Sequence, residues 1–266
     1  MNEAELLFTE LLNCNRFALY LDKNLVLDKF VCQNIAAILK RRIKAEPLPY
    51  ILGKIEFMGF EFKLTPDVFI PRPETEILVE TVIRYYHLLP KDSRILELGT
   101  GSGCIAVSLA KLLSSIDITA TDISKEALSI AEENARWHNV ENRITFLRSN
   151  LFDSLAKNDI GYEMCVSNPP YIPSEEIKRL PPEVRYEPRI ALDGGRDGLD
   201  FYRRIIDKLD IYLARGGYLI MEMGFGQKEE IEKIFQKIRG LQIKEIVKDY
   251  KNIDRVIVLK RQEKDG

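Results

Sequence analysis

The sequence has little histidine, no paired cysteines and no excess of either charge. Its 266 residues include only two histidines, His87 and His138, and four cysteines without a CxxC spacing. Protein metal sites draw on clusters of such residues, so we expect no metal centre and reduced, unpaired thiols. The 39 Lys and Arg residues nearly balance the 41 Asp and Glu residues, so nucleic acid is not an expected partner.

Two further absences concern where the chain acts. The N-terminus has no basic, apolar leader, and no apolar run approaches the roughly 18 residues of a membrane helix. We therefore expect a cytoplasmic protein without membrane contact. No exposed apolar stripe stands out, so a monomer is expected. The apolar share of 45% is enough to form a sizeable core.

The spacing of apolar residues divides the chain into three parts. Residues 1–54 repeat apolar residues at three-to-four spacing, which predicts a small helical domain, with helix start signals at Asp22 and Asn24. Residues 55–73 begin with alternating residues around a glycine and predict a β-hairpin linker. Residues 74–266 alternate strands with helices, which predicts an α/β fold with a mostly parallel sheet.

Seven strands and five helices are predicted after residue 73. The last two strands follow each other without room for a crossover helix, so one strand should run antiparallel to the rest. The predicted strands are 94–98, 117–121, 144–148, 163–167, 217–223, 242–247 and 255–260. The predicted helices are 74–88, 104–113, 124–138, 199–214 and 227–239.

A glycine-rich turn follows the first of these strands, at Gly99-Thr100-Gly101-Ser102-Gly103. Glycines let a backbone turn tightly and approach a ligand closely. The spacing is GxGxG, because Cys104 stands where the dinucleotide fingerprint has its last glycine. Asp122 ends the second strand, where a carboxylate can accept from both hydroxyls of a ribose. The pair favours a nucleoside site without pyrophosphate geometry, such as one for S-adenosylmethionine; a structural turn with a helix-capping Asp is the alternative.

A second motif, Asn168-Pro169-Pro170-Tyr171, follows the fourth strand. The prolines hold Asn168 extended and direct the Pro169 carbonyl to one place. A side-chain amide oxygen beside a rigid carbonyl gives two acceptors suited to a planar NH₂ group, against which Tyr171 can pack. The segment lies at the carboxyl end of a strand, where open α/β sheets bind ligands. The alternative is a proline-rich loop with Asn as turn initiator.

With these motifs in these places, the chain resembles the release-factor glutamine N5-methyltransferases (PrmC/HemK family) along almost its whole length. The Asn-Pro-Pro-Tyr motif alone is shared with DNA and RNA methyltransferases. Narrower matches are Pro47-Leu48-Pro49-Tyr50-Ile51-Leu52-Gly53, Phe69-Ile70-Pro71-Arg72-Pro73-Glu74-Thr75-Glu76, Glu187-Pro188 and Ala191-Leu192-Asp193-Gly194-Gly195-Arg196-Asp197-Gly198-Leu199.

The resemblance implies a Rossmann-like seven-stranded methyltransferase domain behind a helical domain that recognises the substrate. It implies methyl transfer from S-adenosylmethionine, leaving S-adenosylhomocysteine, to the GGQ glutamine of class 1 peptide chain release factors. Asn168 and Pro169 would be catalytic and would hold the glutamine together with Pro170 and Tyr171. Cofactor-binding residues would be Gly99, Thr100, Gly101, Ser102, Gly103, Asp122, Asn150, Leu151, Asn168 and Phe69, with Pro71, Arg72 and Glu74 bordering the cleft.

Two positions depart from the family pattern. Asn150 stands where an Asp commonly precedes the residue that stacks on adenine; it can still accept from the adenine amine but carries no charge. Asn252 stands in a C-terminal turn where the family often has glycine. Because Asn tolerates the left-handed conformation better than most residues, we expect this turn to be retained.

The sequence also leaves two other functions open. A nucleic-acid methyltransferase could use the same Asn-Pro-Pro-Tyr motif to hold an exocyclic amine of a base. However, residues 1–75 carry 10 basic and 10 acidic residues, and the remainder carries 29 and 31. Neither part has the excess of basic residues that phosphate binding favours. The second alternative, a non-catalytic S-adenosylmethionine-binding scaffold, would not need this motif.

Some remaining residues are also weighed for a role in catalysis. No histidine is expected to act as a base, because both are predicted on the surface at helix ends. Glu222, Gly224 and Gln227 follow the fifth strand, where a functional role and a glycine turn explain them equally well.

Overall fold

The computed structural model describes residues 2–21, 26–156 and 161–263, and its first part is helical. Within the described residues, four helices precede the first strand: α1 Glu3–Leu12, α2 Arg16–Leu21, α3 Lys29–Arg42 and α4 Leu48–Leu52. Asn2 and Glu5 close the start of α1, each accepting from the other's backbone N–H. The start signals predicted at Asp22 and Asn24 lie outside the described residues, and Asp28 caps α3.

Large apolar side chains are exposed on α2 and α3. Phe17, Tyr20 and Leu21, which share one face of α2, are 76%, 66% and 77% exposed, and Phe30 of α3 is 69% exposed. The expectation that no apolar stripe is exposed is therefore wrong. Helical periodicity identifies an apolar face, but it does not tell whether that face turns toward a core or toward solvent.

A β-hairpin follows, as predicted, with strands β1 (Lys54–Phe57) and β2 (Phe60–Lys63). Its Phe62 is fully buried. The Lys63 N–H donates to Asn134 Oδ1 at 2.8 Å, and Asn134 Nδ2 donates back to the Lys63 carbonyl at 3.1 Å. The hairpin is therefore anchored to a later helix by a reciprocal amide pair.

The two histidines differ in their surroundings. His87 is exposed, as predicted. His138 is half-buried: its Nε2 lies 2.7 Å from the Glu61 carbonyl oxygen and its ring packs against Phe60 and Phe62. The prediction of a surface position is wrong for His138, because the hairpin folds over the end of its helix.

In the described part of the chain, seven strands form a single sheet, with helices on both faces. The strands are β3 Arg94–Leu98, β4 Asp117–Asp122, β5 Ile144–Arg148, β6 Tyr162–Ser167, β7 Leu213–Glu222, β8 Leu241–Lys248 and β9 Asp254–Arg261. Their order is β5-β4-β3-β6-β7-β9-β8. Among these described strands, β9 alone runs antiparallel to the others. The predicted α/β fold with one antiparallel strand is confirmed.

Alternate residues of the strands pack under different helices. The helices are α5 Pro73–Tyr86, α6 Cys104–Leu112, α7 Lys125–Trp137, α8 Asp200–Tyr212 and α9 Lys228–Gln236. Ile95 and Met164 lie in the core beneath α5, α6 and α7, whereas their neighbours Leu96 and Cys165 lie in the core beneath α8 and α9. This alternation follows from the two-residue period of a strand and buries both faces of the sheet.

The start of β7 differs from the prediction. The sequence predicts a helix to residue 214 and a strand from residue 217, but α8 ends at Tyr212 and β7 begins at Leu213. Tyr162 pairs with Leu213 while Met164 pairs with Tyr218. The intervening residues bulge out of the ladder, and a bulge of this kind leaves no signal in a period-two pattern.

The order of the strands determines where a ligand can bind. The chain moves outward from β3 through β4 to β5, then returns to place β6 on the other side of β3. A crevice opens at such a switch point, outside the carboxyl ends of the strands. Within the described residues, no helix has both the length and the apolar character needed to span a membrane.

Candidate active site

A cleft of about 360 Å³ lies at the carboxyl ends of β3 to β6. Both predicted motifs reach it, as does the segment that leads into α5. The predicted site residues that line it are Phe69, Gly99, Thr100, Gly101, Ser102, Asp122, Asn150, Leu151, Asn168, Pro169, Pro170 and Tyr171. The fold therefore brings together residues separated by a hundred positions in the chain.

The glycine turn presents bare backbone to the cleft. Gly99 and Gly101 have φ of +77° and +56°, and a Cβ on either would meet no described protein atom within 4 Å. A ligand can therefore approach the main chain closely at these residues. Gly103 does not line the cleft; a Cβ there would lie 2.9 Å from the Cβ of Ala131, so this glycine permits close packing of α6 on α7.

Asp122 connects the turn to the next helix. Its Oδ2 accepts from the Gly101 N–H at 2.8 Å, and its Oδ1 accepts from the Ser124 N–H at 2.9 Å. Burial raises the pKa of Asp122, and these N–H donors oppose the rise. A carboxylate oxygen can accept more than one hydrogen bond, so Asp122 can also accept from hydroxyl groups of a ligand. The helix cap itself is Ser124, whose hydroxyl accepts from the Ala127 N–H.

Glu97 lies beneath the turn and was missed in the sequence. It is fully buried, and its Oε2 accepts from the Thr100 hydroxyl at 2.8 Å. Burial raises its pKa to about 7. Its Oε1 has no hydrogen-bond partner among the described residues. An acidic residue inside an otherwise apolar strand, two positions before the first glycine, is the signal that could have identified it.

The end of β5 supplies Asn150 and Leu151. Leu151 adopts φ of +55°, a left-handed conformation that is costly for a branched side chain. Asn150 Oδ1 accepts from Arg204 Nη2 of α8 at 2.6 Å. The uncharged residue in the family's Asp position is thus paired with a cation. The other departure, Asn252, has φ of +63°, so the left-handed turn is retained as expected.

The Asn-Pro-Pro-Tyr segment is held from three sides. Ser167, just before it, donates to the Leu98 carbonyl at 2.8 Å and so ties it to β3. Asn168 Nδ2 donates to Thr75 Oγ1 of α5 at 3.2 Å. Tyr171 donates its hydroxyl proton to Glu222 Oε1 at 3.2 Å.

The residues after β7 contact this segment directly. Gln227 Nε2 donates to the Tyr171 carbonyl at 2.9 Å, and Gln227 Oε1 accepts from the Gly224 N–H at 3.1 Å. Glu222 is fully buried, and its backbone oxygen accepts from the Tyr202 hydroxyl at 2.9 Å. Burial raises the pKa of Glu222 to about 7. The turn after β7 is therefore part of the framework that holds the motif.

The segment before α5 forms one wall of the cleft. Phe69 and Pro71 line it, whereas Arg72 and Glu74 do not. Arg72 forms an ion pair with the buried Glu187, and its guanidinium lies 4.8 Å from the centre of the Phe69 ring. Arg72 thus acts on the cleft through the position of Phe69. No group of three or more His, Cys, Asp and Glu residues in the described part of the chain could hold a metal ion.

Comparison with known proteins relates this cleft to a family. Residues 72–180 match a family model described as the methyltransferase small domain, and residues 1–53 match one described as the PrmC N-terminal domain. The release factor glutamine methyltransferase of Geobacter sulfurreducens is 41% identical over 256 residues, which cover 96% of this chain and 87% of that protein. This chain belongs to the release factor glutamine methyltransferase family. The resemblance drawn from the sequence motifs is confirmed.

Other relatives agree with this membership. The release factor glutamine methyltransferase of Thermodesulfovibrio yellowstonii is 38% identical, over 98% of this chain and 92% of that protein. The crystal structure of ribosomal protein L11 methylase from Lactobacillus delbrueckii subsp. bulgaricus has a TM-score of 0.52 at 22% identity, covering 72% of this chain and 81% of that one. At this identity the likeness shows a shared fold.

Proposed function

We propose that the chain transfers a methyl group from S-adenosylmethionine to the side-chain nitrogen of the GGQ glutamine in class 1 release factors. The observation that carries this proposal is the geometry of Asn168 and Pro169. Asn168 turns its Nδ2 to Thr75, and the two rigid acceptors line the same cleft as the glycine turn and Asp122. Membership of the release factor glutamine methyltransferase family supports this choice of substrate.

The cleft has features that fit S-adenosylmethionine. The open space at Gly99 and Gly101 admits a ligand against the backbone, and the Asp122 carboxylate can accept from ribose hydroxyls as well as from its backbone donors. Leu151 and Phe69 offer apolar surface in the same cleft. Residues proposed to hold the cofactor are Phe69, Gly99, Thr100, Gly101, Ser102, Asp122, Asn150, Leu151 and Asn168, with Gly103 acting indirectly through its packing on α7.

The substrate amide needs orientation more than it needs a base. An amide nitrogen is a weak nucleophile, because its lone pair is delocalised into the carbonyl. Asn168 Oδ1 and the Pro169 carbonyl each accept one hydrogen of the NH₂ group, which fixes its plane and stabilises the positive charge that develops on nitrogen. Tyr171 packs against the same planar group. When bound, S-adenosylmethionine would supply a methyl group on a cationic sulfur and leave as S-adenosylhomocysteine. The amide nitrogen becomes acidic as it gains the methyl group and loses one proton to water, so no strong base is required.

The three parts of the chain have separate roles in this proposal. Residues 1–54 recognise the release factor, and residues 74–266 form the methyltransferase domain that catalyses the transfer. Residues 55–73 connect these two domains. The exposed Phe17, Tyr20, Leu21 and Phe30 suit a protein partner, since exposed apolar patches commonly mark protein contacts. A release-factor substrate also implies that the chain works in the cytoplasm, and we propose that it does so as a monomer.

The contact surface can be tested separately from the chemistry. Phe30→Ser should raise KM for a whole release factor about 5-fold or more while leaving methylation of a short GGQ peptide unchanged, because Phe30 does not line the cleft. Leu88→Ser is the control, since Leu88 is similarly exposed and lies two residues after the end of α5. An unchanged KM in Phe30→Ser would remove α3 from the recognition surface.

The function itself is tested by offering three substrates to the purified chain with tritiated S-adenosylmethionine. Release factor, transfer RNA and plasmid DNA are compared under single-turnover conditions, with Asn168→Ala as the matched control. We expect label in the release factor alone, and little with Asn168→Ala. Label in either nucleic acid would favour an exocyclic-amine methyltransferase. Absence of label from all three would leave a cofactor-binding scaffold.

A further inference from the structure

The two ends of the Asn168 side chain have similar shapes and opposite chemistry. Its Nδ2 donates to Thr75 Oγ1 at 3.2 Å, and its Oδ1 has no hydrogen-bond partner among the described residues. Rotating this amide by half a turn would place two N–H donors where the substrate NH₂ needs an acceptor. The proposed reaction therefore requires that one orientation be enforced.

Thr75 can bond to Asn168 in either orientation. It lies in the first turn of α5 and is 2% exposed. A hydroxyl has one proton and two lone pairs, so it can accept from Nδ2 or donate to Oδ1. Its own proton must therefore be committed elsewhere if only the first arrangement is to persist. The carboxylate that faces this hydroxyl is that of Glu222.

Glu222 is placed to receive that proton. It ends β7 and is 1% exposed. Its Oε1 already accepts from the Tyr171 hydroxyl, whereas the Thr75 hydroxyl faces the carboxylate without a hydrogen bond of ordinary geometry to the buried Oε2. An ionised carboxylate only accepts hydrogen bonds, and leaving such an oxygen buried and unpaired is costly.

We propose that Thr75 and Glu222 are positioning residues that set the orientation of the Asn168 amide. The Thr75 hydroxyl donates to Glu222, its oxygen then accepts from Asn168 Nδ2, and Asn168 Oδ1 remains for the substrate. The same carboxylate fixes Tyr171, so one buried glutamate orders both polar ends of the motif. This inference rests on the proposed function, because it explains how that function's acceptor is prepared.

The protonation state of Glu222 then governs the arrangement. A protonated carboxyl no longer obliges Thr75 to donate to it, and the flipped amide becomes accessible. Because burial raises the pKa of Glu222 to about 7, turnover should rise with pH through that value. The titratable, charged and hydroxyl groups that face Glu222 are Thr75 and Glu74 of α5, Tyr171 of the motif, Tyr202 of α8 and Arg255 of β9.

The experiment compares Thr75→Val, Thr75→Ser and Glu222→Gln in the full chain. Val keeps the shape of Thr and removes the hydroxyl, whereas Ser keeps the hydroxyl. Thr81→Val is the matched control, because Thr81 lies on the same helix, is equally buried and donates only to the Ile77 carbonyl. Measurements are kcat and KM for release factor between about pH 6 and pH 9, and S-adenosylmethionine affinity by calorimetry.

The positioning role predicts a specific pattern. Thr75→Val should lower kcat about 10- to 100-fold with cofactor affinity within about 3-fold, and Thr75→Ser should stay within about 3-fold of wild type. Thr81→Val should keep wild-type kcat. In Glu222→Gln, the loss of kcat toward acid pH seen in the wild type should disappear, because a glutamine side chain does not titrate in this range.

Two results would overturn the inference while leaving the proposed function intact. One is an active wild type with Thr75→Val within about 2-fold of its kcat. The other is a wild-type acid limb that persists unchanged in Glu222→Gln, which remains decisive if Thr75→Val fails to fold. A wild type that methylates no release factor would instead overturn the proposed function, and this inference with it.

Discussion

The two halves of the cleft are built in different ways. The half formed by the turn after β3 and by Asp122 presents backbone groups to the cleft, with the Gly101 N–H donating to the Asp122 carboxylate at 2.8 Å. The half formed by the Asn-Pro-Pro-Tyr segment uses side chains from distant elements, such as Thr75 with Asn168. The first half is suited to gripping a ligand and the second to orienting a reacting group. Substitutions should therefore affect affinity in one half and turnover in the other.

Both halves of the cleft are nevertheless supported in the same way. A fully buried glutamate lies beneath each motif, Glu97 under the glycine turn and Glu222 under Tyr171. Burial raises the pKa of each to about 7. Each accepts a hydrogen bond from a hydroxyl of its motif. The fold thus keeps two carboxyl groups away from water to hold the loops of the site in place.

The largest effect is expected in the orienting half, at Asn168. Asn168→Ala should lower kcat by about 10² to 10³, because a preorganised acceptor is lost at the reacting nitrogen. Cofactor affinity should stay within a few-fold, since Asp122 and the glycine turn are unchanged. Steady-state kinetics with a release factor, together with calorimetry, measure both. A kcat of Asn168→Ala near that of the wild type would contradict the assignment of turnover to this half of the cleft.

The next effect concerns stability and the buried Glu97. Its pKa is raised from an ordinary 4.5 to about 7, so the stability it contributes is present below about pH 4.5 and is lost as pH rises through 7. The free energy of unfolding of Glu97→Gln should therefore rise by about 3 kcal/mol relative to that of the wild type as the pH increases from about 4.5 to 7. Urea unfolding across this range measures the difference, with the exposed Glu56→Gln as control. A difference independent of pH would contradict the burial argument.

A smaller effect is expected at Asp122, in the gripping half. Asp122→Ala should weaken S-adenosylmethionine binding about 10- to 50-fold, since two hydrogen bonds to a charged group and the support of Gly101 are lost. At saturating cofactor, kcat should fall far less than in Asn168→Ala. Calorimetry and kinetics on the same preparations make the comparison. Unchanged affinity would show that Asp122 only supports the turn.

The smallest effect is expected at Asn150, on the rim of the gripping half. Asn150→Asp restores the family's charge and places it beside Arg204. Because this contact is exposed, the gain in cofactor affinity should be only about 2- to 3-fold. Arg204→Gln in the same background should cancel the difference. A large gain in cofactor affinity would mean that the absence of a negative charge at position 150, and not the contact with Arg204, limits cofactor binding.

The two halves also differ in how well the sequence predicts them. The GxGxG spacing, Asp122 and the Asn-Pro-Pro-Tyr motif are local patterns, and each follows a strand that periodicity reveals. The contacts of Asn168 with Thr75 and of Tyr171 with Glu222 join residues 93 and 51 positions apart. A single sequence carries no signal for such pairings, so Glu222 could not be told from part of a glycine turn.

The same limit explains the errors in the fold. The parallel sheet follows from alternating strands and helices, but the bulge at the start of β7 breaks the period on which the predicted strand bounds depend. His138 looks like a surface residue at a helix end until the hairpin covers it. In each case, the deciding contact comes from an element distant in the chain.

The central claim is that this cleft methylates the glutamine of a release factor. Mass spectrometry of the GGQ peptide, after incubation of a release factor with the full chain and S-adenosylmethionine, tests it most directly. The account predicts the mass of one added methyl group, located by fragmentation on the glutamine side chain and absent with Asn168→Ala. A peptide without that increment, or a methyl group on another residue, would contradict it.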